Sequence, residues 1–125
     1  MPTSRFDNVA SISNQTVPGV STGWTAPAIP ILSETTVLTK IIAPGKVFLL
    51  DRASFIGLAD AVCRVKVNGT TIAFMQIAWT TRSDARYFPF GHSVLAGETL
   101  TITIVNCGKA SADYDGSIMG RTIDS

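Results

Sequence analysis

The chain has 125 residues, a length that suits one domain. Charged residues make up 15%, hydrophobic ones 46%, and the formal net charge is +1, against about 25% charged in an average domain. A near-neutral chain lacks the basic stripe of a nucleic-acid binder, and no run approaches the roughly 18 apolar residues of a spanning helix. Neither nucleic acid nor a membrane is therefore expected as a partner. Low charge leaves two readings open: a Thr/Ser/Asn/Gly-rich β surface, or a surface that meets other protein.

Residues 1–33 differ from the rest of the chain. The stretch NVASISNQTVPGVSTGWTAPAIPIL is rich in Ser, Thr, Pro and Gly and has no sustained period. Pro18, Pro27 and Pro30 lack the backbone donor that a sheet ladder needs. Yet Phe6, Val17, Trp24, Ile29, Ile31 and Leu32 make it too apolar for a disordered tail. The segment reads as an extended arm that lies on a surface, either its own domain or a neighbouring subunit. Its first residues carry no apolar signal core, so export is not expected.

A domain over 34–125 carries the strands. Residues 34–42 (ETTVLTKII) end in the turn Ala43-Pro44-Gly45-Lys46. Residues 47–57 (VFLLDRASFIG) are mostly apolar, as in a central strand. Residues 61–67 alternate, with Cys63, Val65 and Val67 on one face and Arg64 and Lys66 on the other. Asn68-Gly69 supplies the positive φ values of a two-residue hairpin turn, and 70–79 return. Residues 80–93 (TTRSDARYFPFGHS) read as a connection or short strand. The turn at Ala96-Gly97-Glu98 opens onto the clearest strand, with Leu100, Ile102 and Ile104 inward and Thr99, Thr101 and Thr103 on a flat, uncharged outer face. A turn from Asn106 and a closing strand over 116–123 end the series. Seven or eight short strands at such spacing, with no helical period, predict an all-β sandwich or barrel. The turns in IIAPGKVFLL and VLAGETLTIT echo each other, which suits a jelly roll with both at one end.

Little in the inventory points to chemistry. GHSVL around the one histidine, His92, lacks the second glycine of a nucleophile elbow, and it precedes a strand rather than joining a strand to a helix. Asp113 and Asp115 in DYDG echo a calcium loop without its closing Glu. Among Asp51, Asp60, Asp84, Asp113 and Asp115 nothing selects a catalytic pair. Cys63 and Cys107 are too few for a disulfide scaffold and read as buried free thiols. The sequons at Asn14 and Asn68 mean little without a secretory signal, and Asn68 is already explained by its turn. No catalytic, cofactor-binding or metal-ligating set is expected, and the chain is read as a non-enzyme.

Binding residues are easier to nominate. Arginine and aromatic side chains are enriched at interface anchors. That selects Arg82, Arg86 and Tyr87, together with Phe6, Val17, Trp24, Pro27, Ile29 and Pro30 of the arm, as protein-interface residues. Phe88 and Phe90 read first as core residues beside solvated arginines, with a place in the same interface as the rival reading. Arg64 and Lys66 suggest a small basic patch. A sugar-stacking platform of Trp24, Trp79 and Tyr87 is the rival use of the aromatics.

Residues 41–121 resemble small β-sandwich virion proteins of tailed bacteriophages, of the capsid decoration or cement type. The resemblance rests on APGKVFLLDRASF, CRVKVNGTTIAF, FPFGHSVLAGETLTITIVNCG and GSIMGR. It implies a single jelly-roll-like antiparallel β-sandwich with an extended N-terminal arm. It also implies a non-enzymatic virion component, assembled in the host bacterial cytoplasm, that binds the major capsid protein or other virion proteins and sister copies as a dimer or trimer. A neck, tail or fibre component and a carbohydrate-binding module are the alternatives. Such proteins have no catalytic signature, so no family site residue carries over.

Overall fold

The computed structural model describes residues 19–78 and 80–125. Their regular structure is eight strands: β1 (Val20–Ile29), β2 (Glu34–Ile41), β3 (Lys46–Gly57), β4 (Ala61–Val67), β5 (Thr70–Ile77), β6 (Ser83–Val94), β7 (Thr99–Asn106) and β8 (Ala112–Asp124). They form two antiparallel sheets of four, ordered β1-β8-β3-β6 and β2-β7-β4-β5. β1 pairs with β8, β2 with β7, β3 with β6 and β4 with β5. This nested pairing is one long hairpin rolled up, the topology of a jelly roll.

The turns that shape it are the ones visible in the sequence. Asn68 and Gly69 take φ of 50° and 81° at the β4–β5 hairpin. Gly45 and Gly97 take 76° and 82° in the two turns that echo each other. Those turns meet: Ile42 N–H donates to Glu98 C=O at 3.1 Å, and Gly97 N–H donates to Ile42 C=O at 2.9 Å.

The core lies between the sheets. β7 contributes Leu100, Ile102 and Ile104, and β4 contributes Cys63 and Val65. Facing them are Phe48, Leu50, Ala53 and Phe55 of β3 with Tyr114 and Ile118 of β8. In the β8 sheet, aromatic rings lie on strand glycines. A Cβ added to Gly116 would stand 2.2 Å from Trp24 Cζ2 and 2.4 Å from the Ser54 carbonyl oxygen. One added to Gly57 would stand 2.3 Å from Tyr114 Cδ1. These positions are glycine because the ring fills the space of a side chain.

The first sheet begins earlier than the sequence led us to expect. Residues 20–29 of the expected 1–33 arm are an edge strand of the domain itself, and they bury Trp24, Ala26 and Ile29. Pro27 is accommodated because β1 is an edge and because it sits in a bulge: Ala26 pairs with Tyr114 and Ile29 with Ala112, so Pro27 and Ala28 together oppose Asp113. Ala28 has φ 53°, and its N–H donates to Asp113 Oδ1 at 2.7 Å. The run 80–93 also differs from the connection or short strand expected there. Most of it is the long strand β6, whose pairing with β3 is interrupted midway.

Asn106, at the end of β7, is fully buried. Its Nδ2 donates to the carbonyls of Ile29 and Ala110, each at 2.9 Å, and its Oδ1 accepts from Gly108 N–H at 2.8 Å. Its own carbonyl accepts from Leu32 N–H at 2.9 Å. One side chain thus satisfies the backbone where the chain crosses from β1 to β2 and where β7 turns towards β8.

Asn106→Ala leaves those two carbonyls and one N–H without partners, and we expect a loss of about 3 kcal/mol, read from the urea midpoint at unchanged m-value. Gly116→Ala forces a methyl into the Trp24 ring and the Ser54 carbonyl, and should also cost about 3 kcal/mol. The comparison variant is Gly97→Ala, which meets open space. It bears only the left-handed backbone penalty of about 1 kcal/mol; equal losses in the two glycine variants would refute the packing argument.

Candidate interaction surface

β6 builds the most prominent apolar feature. Tyr87 pairs with Arg52 and His92 with Leu50, so residues 88–91 stand against Asp51 alone. The excess bulges out at a point where Pro89 has no N–H for the ladder and Gly91 takes φ 75°. Phe88 turns inward onto the core and meets His92 edge-on at 5.9 Å. Phe90 is thrown outward and is 96% exposed; Tyr87 is 69% exposed. The sequence places both phenylalanines first in the core; the bulge keeps Phe88 against it and turns Phe90 out.

On the outer face of the same sheet, Tyr87, Arg52, Met119 and Ser21 form one cross-strand row, and Ala85, Ser54, Ser117 and Gly23 form the next. The second row is small, so a shallow open groove of about 570 Å³ runs there, with Ile56, Ser83 and Asp115 on its far side. The Ser54 and Ser117 hydroxyls are 3.2 Å apart in its floor. Arg86, exposed, pairs with Asp84 at 3.2 Å. The other oxygen of Asp84 accepts Gln76 N–H at 3.0 Å, which ties β6 to the edge strand β5 of the opposite sheet. Arg82 is exposed, and its carbonyl accepts Gly57 N–H at 3.0 Å.

The outer face of the second sheet is not uncharged, as the threonines of β7 alone implied. Arg64 pairs with Thr103 and Lys66 with Thr101 across the β4–β7 ladder. Glu34 reaches in from β2. Its Oε2 accepts the Thr103 hydroxyl at 2.7 Å and lies 2.9 Å from Lys66 Nζ and 3.4 Å from Arg64 Nη1. The expected basic patch is therefore bridged by a carboxylate. The Thr103 hydrogen bond, then the lysine beside it, hold the Glu34 carboxyl below its ordinary value of 4.5.

The other residues nominated from sequence are scattered. Trp24 and Ile29 are 7% and 4% exposed, inside the chain's own core, because the alternation of an edge strand turns them inward. Pro27 and Pro30 are exposed. Phe6, Val17 and Trp79 lie outside the described residues. The stacking platform thus loses Trp24 to the core, and Tyr87 is its one member exposed among the described residues. His92 and Ser93 are consecutive on a strand and point to opposite faces, which is no arrangement for a nucleophile and its base. Asp113 serves the β1 bulge. Cys63 is buried, which pushes its thiol up to about 12, whereas Cys107 is exposed. The expectation that both thiols are buried holds for Cys63 only, because Cys107 lies one residue beyond β7, where the alternation stops. Among the described residues no cluster of three or more His, Cys, Asp or Glu side chains has metal-binding geometry. The Phe90 bulge is the feature that sequence reasoning missed; Pro89 and Gly91 inside a strand-like run are the signal that marks it.

No protein-family model matches the chain, and no curated protein matches it. Solved structures similar to it at a low level include the following three. A subunit of the disulfide-linked pili that form Bacillus endospore appendages is 14% identical with a TM-score of 0.48, over 94% of this chain and 97% of that one. The insecticidal delta-endotoxin Cry8Ea1 of Bacillus thuringiensis is 17% identical with a TM-score of 0.47, over 78% of this chain. This chain spans only 20% of the toxin's length. The virus-like particle protein of the extra small virus of the prawn Macrobrachium rosenbergii is 15% identical with a TM-score of 0.38, over 96% and 86%.

Because the Glu34 carboxyl is lowered in the folded state, the stability it contributes is present above pH 4.5 and is lost as pH falls through its folded value. Thermal melts between pH 6 and pH 3 should show a drop that Glu34→Gln flattens; an identical pH profile in that variant would exclude Glu34 as the responsible group.

Proposed function

We propose that this chain is a non-enzymatic structural protein of a virion, of the phage decoration or cement kind. It binds major capsid subunits and sister copies through buried area rather than chemistry. The observation that carries this reading is the exposed apolar ridge of β6. Tyr87 and Phe90 project from an edge strand beside a shallow, small-residue groove, on a chain with only 15% charged residues. Rigid aromatics at an edge are suited to anchoring a protein interface, and low charge lowers the desolvation cost around them. Arg86 and Arg82 supply polar contacts at its rim. A neck, tail or fibre position uses the same surface and differs only in the partner.

The test has two parts. In sedimentation velocity the wild-type chain should run as a defined dimer or trimer, and Tyr87→Ser with Phe90→Ser should shift it to a folded monomer. In particle preparations from a producing culture, an antibody to the chain should label purified virions at a fixed ratio to capsid, and the labelled position separates head from tail. Absence of the chain from purified particles overturns the virion reading, whatever its oligomeric state.

A further inference from the structure

The outer face of the β1-β8-β3-β6 sheet carries two charges that the described residues leave unmatched. The middle of this face is three cross-strand rows of four. The first holds Arg52 and Tyr87, the second is the small row of Ser54 and Ser117, and the third holds Asp115, Ile56 and Ser83. Of these twelve positions, Arg52 and Asp115 are the charged ones. Neither has an ion pair or a side-chain hydrogen bond among the described residues. Arg52 Nε is buried without an acceptor, and Asp115 is exposed. They cannot pair with each other. Arg52 and Ile56 are four residues apart on β3, so their rows lie roughly 13 Å apart at ~3.3 Å per residue.

The arrangement is complementary to itself. The cation and the anion flank the small row, one on each side. A two-fold axis laid along the Ser54–Ser117 row turns a second copy over onto this face, sheet against sheet. Each copy's first row then lies over the partner's third. Arg52 comes down over the partner's Ile56, one strand from the partner's Asp115. That strand spacing is about 4.8 Å, which a guanidinium on its three-methylene stem spans. Tyr87, 69% exposed, comes over the partner's Ser83, in the shallow groove of about 570 Å³. The small middle row lets the sheets approach to the ~10 Å of packed sheets. Each contact forms twice, as a two-fold interface requires.

We infer that this chain forms a two-fold dimer through this face, with Arg52 of each copy paired to the partner's Asp115 and Tyr87 seated in the partner's groove. The inference rests on the reading of β6 as a contact between sister copies, and it gives that contact a geometry. A second copy is favoured over a different partner because the face supplies its own complement: its one cation and one anion meet when the rows are reversed. Twelve residues fall short of the roughly 20–30 per side of a stable interface. The dimer is therefore reversible and depends on concentration.

The test is charge reversal, read by sedimentation velocity of the full chain over a concentration series. Arg52→Glu sets a carboxylate against the partner's Asp115, and Asp115→Arg sets a guanidinium against the partner's Arg52. Each variant, shown to be folded by its urea transition, should dimerise about tenfold more weakly or worse. An equimolar mixture of the two should regain wild-type affinity as a heterodimer, because both contacts then join opposite charges. If Arg52→Glu does not fold, Asp115→Arg is compared with Asp115→Arg plus Arg52→Gln, which should dimerise again because the repulsion is gone. Unchanged dimerisation in the single variants, or no recovery in the mixture or the double variant, overturns this geometry. The contact through Tyr87 and Phe90 is then judged by its own serine variant. A wild-type chain that is monomeric at every concentration overturns the dimer itself, while particle labelling still decides the virion reading.

Discussion

A single buried amide holds together the point at which this fold changes sheets. A jelly roll has to carry its chain from one layer to the other, and at each crossing backbone groups leave their ladder. At the β1–β2 crossing the Ile29 carbonyl is buried, so water cannot satisfy it. Asn106 satisfies it through Nδ2 and takes Leu32 N–H on its own carbonyl, while its other side-chain bonds, to Ala110 and Gly108, hold the turn after β7. It also pairs with Ala61 in the β4 ladder, so the crossing is fastened to a central strand. Without that clamp β1 would keep the β8 ladder and its buried Trp24, Ala26 and Ile29, but would lose its side-chain tie to the second sheet.

The second constraint is the spacing of the sheet that β1 joins. Trp24 and Tyr114 are large, and they fit because they lie over Gly116 and Gly57 instead of over side chains. Aromatic bulk is thereby moved from the middle of the core to the strand surface, and Phe48, Leu50 and Phe55 fill the rest. This explains why residues 20–29 belong to the domain. Their apolar side chains complete a packing layer that β8 leaves open with glycine.

The outward faces divide by the same logic. The β2-β7-β4-β5 face is threonine-rich and carries its charges as an internally bridged cluster around Glu34, so it offers few unsatisfied groups. The β1-β8-β3-β6 face has a small-residue groove and, at its edge, an interrupted strand that exposes Tyr87 and Phe90. Pro89 and the bulge also blunt β6 as a template for uncontrolled strand addition. The two faces are therefore unequal as binding surfaces, and the apolar one coincides with the edge that is least able to extend the sheet.

The sequence by itself determined the strands whose signals are local. Period-two alternation and turn glycines placed β2, β3, β4, β5 and β7 within a residue or two, and they set the Asn68-Gly69 hairpin and the inward face of Leu100, Ile102 and Ile104. Those features depend on neighbours a few residues away, which sequence displays directly. The echo of the two Gly turns was legible too, and they meet at one end of the sandwich. Tertiary structure decided the rest. Trp24 and Ile29 are core residues because Gly116 and Asn106, about 90 and 80 positions away, make room for one and bind the carbonyl of the other. The carboxylate that bridges Arg64 and Lys66 on the threonine face came from Glu34, on a strand about thirty residues away that the ladder brings beside them. Phe88 and Phe90 went to opposite sides because a bulge absorbed the mismatch between β6 and β3. In each case the deciding partner is distant in sequence, and only the paired register brings it into contact.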